Sequence, residues 1–521
     1  MLKKLRIALA WMFWIGITLL LLDFTGTLHQ YLGWMARWQF LPAVLALNAG
    51  VVVGLILLTL VFGRVYCSVI CPLGVFQDGI SWLRAHKSKK PYQYHKELKW
   101  LRYGVWALFF ICLLAGGNVL VSLLAPYSAY GRMVTNLLQP IYLWGNNLLA
   151  SLAERAGSYA FYEKEVWIKS VSSLAIAAVT LVVLAILAWK NGRVYCNSIC
   201  PVGTTLSFLS RFAMFRPVID AEKCVRCKTC EVNCKAQCIS ITKEAVHIDY
   251  SRCVDCFNCI DTCPKGGLKY RFAWNFSHPE RSEGSPVDSS PTAQNDKAAA
   301  QNDKAAAQND KHDKGRRAFL AGTAVAVGAA ALKGVEARAQ SVTKVDGGFA
   351  EVLPKQAPRR EVPITPPGSH SVKHFYQHCN GCQLCVAACP NNVLRPSDRL
   401  DCLMEPEMSY EKGFCRPECT RCSELCPTGA IRRISREEKT QYHIGTAQVN
   451  LELCFLATGK THCGKCVQAC PSGAVKLVSG EDGKRIPVVA EEVCTGCGAC
   501  EFLCPSRPIS AITVNGRYQH V

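Results

Sequence analysis

The chain has 521 residues, more than one ordinary domain needs, and its 31 cysteines are spread too far along it for a small disulfide-bonded secreted scaffold. Lys and Arg number 59 against 39 Asp and Glu, which gives a formal net charge of +20. Such an excess can serve nucleic acid, but the basic residues cluster beside apolar stretches and we find no nucleic-acid-binding motif. We therefore expect a membrane as the partner, and no nucleic acid.

Four apolar stretches approach the roughly 20 residues needed to cross a bilayer. They lie near residues 8–25, 43–63, 103–125 and 166–189. The basic N-terminus and the basic loop at 84–102 fall on one side of the membrane, which the positive-inside rule assigns to the cytoplasm. The sequence therefore predicts a membrane α-helical four-span module over residues 1–215, in the inner membrane of a bacterium.

An internal repeat follows the second and the fourth predicted span. Each copy reads Gly-Arg-Val-Tyr-Cys, then three residues, then Cys-Pro, and contributes one C-x3-C-P pair, Cys67 with Cys71 and Cys196 with Cys200. Because cysteines four residues apart share a helix face, two copies in a pseudo-twofold arrangement would bring four thiols together. A further metal or cluster, a redox-active dithiol and a wall of a quinol pocket all fit this pattern. A tight turn with no chemistry is the simplest alternative; we expect a redox or metal role in catalysis.

A 2[4Fe–4S] ferredoxin domain of the bacterial α+β type is predicted over residues 216–275, on the cytoplasmic side. Its two sets follow the C-x2-C-x2-C-x3-C spacing that wraps one face of a cubane, whereas zinc sites usually separate two C-x-x-C pairs by a longer spacer. We expect crossed ligation, in which the fourth cysteine of each set completes the cluster of the other. Lys235 stands where the first set would usually have proline. The predicted ligands are Cys224, Cys227, Cys230, Cys234, Cys253, Cys256, Cys259 and Cys263.

Residues 276–315 are polar and repetitive, with three near-perfect copies of Ala-Gln-Asn-Asp-Lys-Ala-Ala beginning at Ala293. Without an apolar face they form no core, so we predict a low-complexity linker, or a short solvated helix acting as a spacer. Residues 316–339 then begin with two arginines before a small-residue apolar run, which is typical of a twin-arginine signal; a fifth span is the alternative. Ala339 ends an Ala-x-Ala cleavage site. Both interpretations carry the following residues out of the cytoplasm.

After a tether at 340–369, whose prolines disfavour helix, the sequence predicts an exported four-cluster ferredoxin domain at 370–521. The sets that begin at Cys379 and Cys494 are regular, the set at Cys415 has one extra residue, and Cys454 is the least certain ligand because eight residues separate it from Cys463. Six [4Fe–4S] clusters are thus expected in the whole chain. The predicted ligands of this domain are Cys379, Cys382, Cys385, Cys389, Cys415, Cys419, Cys422, Cys426, Cys454, Cys463, Cys466, Cys470, Cys494, Cys497, Cys500 and Cys504.

Three cysteines remain outside these sets, namely Cys112, Cys238 and Cys402. We interpret Cys112 as a packing residue of a span, and Cys238 and Cys402 as neighbours of clusters that do not ligate iron. The alternative for Cys402 is that it substitutes for a distant ligand in one of the irregular sets.

These motifs carry a resemblance to two partners of the periplasmic nitrate reductase system. Residues 1–275 resemble the NapH-type membrane quinol dehydrogenase, and residues 315–521 resemble the NapG-type four-cluster ferredoxin that is exported by the twin-arginine route. The chain thus resembles a fusion of the two. The resemblance implies oxidation of quinol from the membrane quinone pool and electron delivery to a periplasmic reductase or cytochrome. By analogy it also implies that, in the exported domain, the first set pairs with the fourth and the second with the third.

A different class of function is also open at this stage. An assembly or maturation factor would use the same centres to reduce a metal or a thiol in a partner enzyme.

Overall fold

The computed structural model describes residues 1–87, 92, 98–220, 222–242, 246–273, 344–345, 351–480 and 485–520. The predicted linker at 276–315 and the twin-arginine segment at 316–339 lie outside the described residues. Residues 1–274 and 356–521 form one compact unit. In the second unit, residues 275–355, a two-stranded antiparallel ladder pairs Lys344–Val345 with Glu351–Val352.

Most of the described residues among the first 210 fold into helices, because long apolar stretches dominate this part of the sequence. Gly63 and Gly192 end two of the long helices with positive φ angles, and the repeated Cys-x3-Cys turn follows each glycine. The helices are Leu2–Leu22, His29–Arg37, Phe40–Leu45, Ala49–Phe62, Val65–Val69, Pro72–Lys87, Lys99–Ala115, Asn118–Leu124, Pro126–Met133, the π-helix Val134–Leu138, Gln139–Arg155, Val171–Asn191, Val194–Ser198 and Pro201–Ser210.

The prediction of four spans is wrong in number, because two helices in the described part of the chain, Leu2–Leu22 and Val171–Asn191, are long and apolar enough to cross a membrane. The predicted second span is broken where Leu47 takes a positive φ and Asn48 caps a new helix that has 14 residues. The predicted third span ends after 17 residues at Gly116, which is left-handed. At 1.5 Å per residue, these shorter helices reach only about 21 and 26 Å, less than a hydrocarbon core of about 30 Å.

Residues 215–272 form a small α+β domain of two antiparallel ladders and two short helices. Phe215 pairs with Phe272 at one end of the outer ladder, and Ile239 pairs with Ile248 in the inner one. Its strands are Phe215–Ile219, Ile239–Ile241, Val246–Ile248 and Leu268–Phe272, and its helices are Thr229–Val232 and Asn258–Asp261.

The C-terminal part of the chain likewise combines short helices with antiparallel ladders, of which it has three in the described residues. Leu394–Pro396 pairs with Pro406–Met408, Val475–Ser479 with Arg485–Val489, and Gly445–Val449 with Ile512–Gly516. The helices are Val372–His378, Leu384–Ala387, Arg421–Leu425, Arg436–Gln441, Lys465–Ala469 and Ala499–Leu503. The protein is therefore largely helical and carries small α+β iron–sulfur domains, as the sequence predicts.

The two cysteine-rich regions lie at opposite ends of the two long helices. At one end, Lys3 pairs with Asp261 of the 215–272 domain at 2.7 Å, and the Arg193 backbone N–H donates to the carbonyl of Lys235. At the other end, Arg421 of the C-terminal domain donates to the carbonyl of Gly26 at 3.1 Å, while Ser170 donates to Asp398. We call these the inner and the outer end of the helical module.

Candidate functional site

The inner ferredoxin domain holds two cysteine-lined cavities of about 390 and 420 Å³. The first is lined by Cys253, Cys256 and Cys259 together with Cys234, and the second by Cys224, Cys227 and Cys230 together with Cys263. Each cavity thus takes three cysteines from one set and the fourth from the other. The structure arranges these residues in the crossed manner that the sequence predicts.

The backbone of the four most regular sets takes the same unusual conformation on both sides of the second cysteine. The preceding residue and the following residue both have positive φ, although most of them are not glycine, and the second of them starts a short helix that carries the third cysteine. Such a conformation costs free energy and turns backbone N–H groups toward one concave side, where they favour an anion. The pairs are Arg226 and Lys228, Asp255 and Phe257, Gly381 and Gln383, and Gly496 and Gly498.

In the outer domain, sets that are neighbours along the chain pair with each other. Cys389 from the first set lines a cavity of about 340 Å³ with Cys415, Cys419 and Cys422. In return, Cys426 lies within electrostatic range of Cys382 and Cys385.

The last two sets exchange their fourth cysteines in the same way. Cys504 lies within range of Cys466, and Cys470 within range of Cys500. Cys454 joins Cys463 beside Cys466, so the structure places the least regular cysteine with its predicted set.

The expected pairing of the first set with the fourth is therefore wrong. The antiparallel hairpins 394–408 and 475–489 each connect two consecutive sets, and a short loop costs less closure entropy than one that spans two intervening sets. Sequence spacing is the same for either pairing, which is why it did not discriminate between them.

The C-x3-C-P cysteines converge in one buried site. Cys200 lies within electrostatic range of the other three thiols, and all four residues are almost fully buried. The first cysteine of each pair lies in a five-residue helix, and the second comes immediately before Pro72 or Pro201 at the start of the next helix. Each pair therefore spans a turn between two helices, rather than one helical face as predicted. We call Cys67, Cys71, Cys196 and Cys200 the four-thiol site.

Two buried arginines cross over between the repeats at this site. Arg64 Nη2 donates to the carbonyl of Cys196 at 3.2 Å and lies 3.8 Å from Cys67 Sγ. Arg193 Nη1 donates to the carbonyl of Cys67 at 2.9 Å and lies 3.7 Å from Cys196 Sγ. The two sets of contacts are almost equivalent, so the repeat in the sequence corresponds to a pseudo-twofold site. Both guanidinium groups place positive charge where thiolates would need it.

The equivalence of the repeats ends at Gln77 and Asp78. Gln77 Nε2 lies 3.4 Å from Cys196 Sγ, whereas Leu206 occupies the corresponding position in the second repeat. The Asp78 carboxylate forms ion pairs with Arg6 at 2.8 Å, Arg193 at 2.8 Å and Lys235 at 2.6 Å. Burial alone would raise the pKa of the Asp78 carboxyl, but these three cations hold it well below its usual range.

These contacts explain why a lysine stands at position 235. It replaces the proline that usually follows the fourth cysteine, and its ammonium group reaches from the inner ferredoxin to Asp78 of the helical module. Asn197 adds a second connection by donating to the carbonyl of Ala236 at 3.1 Å. The inner ferredoxin is therefore fixed directly against the four-thiol site. The repeated arginines carried a sequence signal that the motif analysis did not use, whereas Asp78 carried none.

On the outer side, buried aromatic and basic residues connect the four-thiol site with the first outer set. Tyr195 lies within electrostatic range of Cys200, Cys196 and also of Arg132, and Arg132 in turn lies within range of Cys382. Gly131 contacts the carbonyl of Cys382 so closely that a Cβ atom would collide with it. Packed protein thus extends continuously from the inner to the outer cysteines.

The three remaining cysteines differ in their surroundings. Cys238 lines the cavity of Cys253, and its Sγ lies 3.5 Å from that of Cys234. Cys402 is buried and donates to Ser397 at 3.4 Å, while Cys112 packs in the small cluster around Phe109. Cys402 and Cys112 have packing contacts, as expected, and Cys238 is a fifth thiol beside a cluster cavity.

The donor chemistry of these sites fits [4Fe–4S] clusters. Among the described residues, no three His, Cys, Asp or Glu side chains converge tightly enough to hold one metal ion. A cubane takes four thiolates, and each of the cysteine-lined cavities is lined by four cysteines from two sets, beside backbone N–H groups that favour the negative charge of a cluster. The residues present therefore fit the group.

Comparisons with known sequences agree with this chemistry. Residues 45–91 and 172–218, which contain the two halves of the four-thiol site, each match a profile described as a 4Fe-4S binding domain. Residues 414–474 and 461–507 match a 4Fe-4S dicluster domain, and residues 372–395 match a further 4Fe-4S binding domain. No solved structure matches the chain.

Three proteins of Escherichia coli K12 are each similar to part of the chain. The ferredoxin-type protein NapF is 29% identical over 178 residues, which are 34% of this chain and 99% of NapF. The ferredoxin-type protein NapH is 23% identical over 241 residues, 45% of this chain and 71% of NapH. The putative electron transport protein YccM is 22% identical over 230 residues, 43% of this chain and 55% of YccM.

The motifs, the cavities and these similarities lead to one conclusion. The chain carries several [4Fe–4S] binding domains and is an iron–sulfur electron-transfer protein, distantly related to the ferredoxin-type proteins NapH and NapF and to YccM.

Proposed function

We propose that the chain oxidises quinol from the membrane pool and passes the electrons to a periplasmic acceptor, such as nitrate reductase or a cytochrome. One observation carries this proposal: cysteine sites lie at both ends of the same two apolar helices, with the four-thiol site between them. Such an arrangement has no function in a soluble ferredoxin. It does suit a protein that carries electrons from a membrane substrate to an acceptor outside the cytoplasm.

Membrane embedding is supported by the exposed surface of the long helices. Only 39% of the most apolar window of Leu2–Leu22 and 22% of that of Val171–Asn191 are buried by the rest of the protein. Large apolar side chains such as Trp11, Ile15 and Val182 are left exposed, and an apolar belt of this kind is stable in lipid. We place the inner ferredoxin in the cytoplasm, as the basic N-terminus indicates, and residues 370–521 in the periplasm.

The division of labour follows from the resemblance of the two parts. The helical module with the inner ferredoxin would act as a NapH-type quinol dehydrogenase, and residues 370–521 as a NapG-type exported ferredoxin joined to it in one chain. In this arrangement the segment 316–339 exports the second part.

The cysteine residues in this proposal have a common role. The six four-cysteine sets hold six [4Fe–4S] clusters, and the four-thiol site holds a further cluster. When bound, such centres supply one-electron transfer. Arg64 and Arg193 offset the thiolate charge of the four-thiol site, while Arg132 and Tyr195 fill the space toward the outer domain so that water is excluded.

The experiment is reduction of the anaerobically purified, oxidised protein by a short-chain quinol, followed through the visible iron–sulfur absorbance. Rapid bleaching is the expected result. In Cys200→Ser, bleaching should split into two phases, because the inner and outer clusters lose their connection; Cys112→Ser, a change of the same kind away from the site, should bleach like the wild type. If a fully iron-loaded wild type does not bleach, quinol oxidation is wrong and the role of a maturation factor is favoured.

A further inference from the structure

The outer end of the helical module contains an open cleft that is distinct from the cysteine-lined cavities and shares only Cys389 with them. It lies where Leu2–Leu22 ends and Val171–Asn191 begins, with Phe24 and Leu174 on its wall. In the proposed topology, the cleft lies at the periplasmic surface of the inner membrane.

The lining of the cleft is mixed, because apolar side chains alternate with polar and charged ones such as Gln139, Lys164 and Lys169. Pro140 and Leu143 join Phe24 and Leu174 as apolar lining. The hydroxyl of Thr135 and the indole N–H of Trp167 are buried in the described structure and have no hydrogen-bond partner there. A cleft that combines apolar side chains with two unpartnered polar groups suits a flat ring that bears oxygen atoms.

The backbone at the cleft is also irregular in a way that is typical of functional sites. Val134–Leu138 is a π-helix inserted between two α-helices, and it contributes Thr135 to the lining. Such insertions occur preferentially at functional sites, because they redirect a side chain that a regular helix would point elsewhere.

The cleft reaches an iron–sulfur ligand. Cys389 contributes to its wall and also to the neighbouring cavity of Cys415, Cys419 and Cys422. Lys169 lies beside this contact and donates to Gln139 Oε1 at 3.2 Å and to the carbonyl of Val386 at 3.0 Å. Lys169 therefore fixes the helical module to the outer domain at the point where an occupant of the cleft would meet Cys389.

We propose that this cleft binds the ring of the membrane quinol, with Thr135 and Trp167 as hydrogen-bonding partners of the ring oxygens and Cys389 on the exit route of the electrons. The inference deepens the proposed function and rests on it. The quinol loses two electrons and two protons and becomes the quinone. The electrons pass singly to oxidised [4Fe–4S] centres, and the protons reach the outside water past Glu165 at the rim. Electrons then enter the outer domain without first crossing the membrane.

The test is direct binding of a photoreactive azidoquinone to the purified full-length protein, with peptide mapping of the label and titration of the dissociation constant. We expect the label on residues 134–143 or 164–174. Thr135→Val preserves the shape of the side chain and should weaken binding about tenfold, as loss of one hydrogen bond predicts. Thr180→Val is the matched control, because the Thr180 hydroxyl bonds within its own helix, away from the cleft. The iron content of each variant is measured in parallel.

The outcomes separate the site from the function. Label on other peptides, or wild-type affinity in Thr135→Val, would overturn this site while leaving quinol oxidation in place. If the protein binds no quinone analogue at all, both this site and the proposed function are wrong.

Discussion

Replacing Asp78 with asparagine should strongly destabilise the protein. The carboxylate is the shared partner of Arg6, Arg193 and Lys235, with nitrogen–oxygen distances of 2.6 to 2.8 Å, and Arg193 is fully buried. Removing one member of a buried ion pair costs about 3–5 kcal/mol, because the remaining charge stays buried without compensation. Since the unfolding entropy is about 2.1 cal/mol/K per residue, a compact unit made of residues 1–274 and 356–521 should shift by about 1 °C per kcal/mol, and the transition should fall by about 3–5 °C.

The assay is thermal unfolding of the iron-loaded protein in detergent, followed by tryptophan fluorescence and by loss of the visible absorbance. Asp261→Asn is the matched control, since Asp261 makes an ion pair with Lys3 at a similar distance but on the exposed surface. The control should unfold at the wild-type temperature because exposed ion pairs contribute little. Equal shifts in the two variants would refute the reasoning that Asp78 holds three parts of the protein together.

The same carboxylate gives a pH dependence with a definite sign. Its pKa is lowered in the folded protein, so the unfolded chain binds a proton more readily than the folded one does. Its stabilisation is therefore complete above about pH 4, the ordinary range of an aspartate, and declines as the pH falls below that. In Asp78→Asn this part of the acid sensitivity should be absent.

Three further predictions concern other residues. Burial, and to a smaller extent the charge of Arg37, lowers the pKa of His29 to about 4. The contribution of His29 to stability should therefore decline as the pH falls from about 6.5 toward about 4, because the unfolded chain binds the proton more readily. His29→Gln should flatten the pH profile of the unfolding temperature over this range. Cys426→Ser and Cys379→Ser should remove the same cluster, so the double variant should contain no less iron than either single variant, whereas Cys402→Ser should keep the wild-type iron content; additive losses would show that Cys426 serves a different cluster. Lys235→Pro restores the usual ferredoxin residue but removes the ion pair with Asp78, so the inner domain should become more sensitive to limited proteolysis while retaining its iron.

Local chemistry was readable from the sequence because it depends on spacing over a few residues. The C-x2-C-x2-C-x3-C runs define their own loops, and the left-handed residues beside Cys227 and Cys256 show how three cysteines can face one centre without help from the rest of the fold. Crossed ligation in the inner ferredoxin follows from two neighbouring runs, since few ways of closing such a short segment exist. The repeated Gly-Arg-Val-Tyr-Cys segment likewise predicted a convergence of thiols, because two equal sequences form two equal turns.

Only the tertiary structure decided features that depend on long-range packing. Hydropathy predicted four spans, but Leu47 and Gly116 interrupt two of the helices, and a sliding apolar average does not register such a break. The hairpins between the outer sets determine that consecutive sets pair with each other. The spacing of their cysteines is the same for every pairing and therefore does not predict it. No motif in the sequence around Asp78 marks it as important. Its role depends on ion pairs with cations that lie 72, 115 and 157 positions away in the sequence. The same reason hid the outer cleft, whose lining is drawn from residues that are hundreds of positions apart and that only the packed fold brings together.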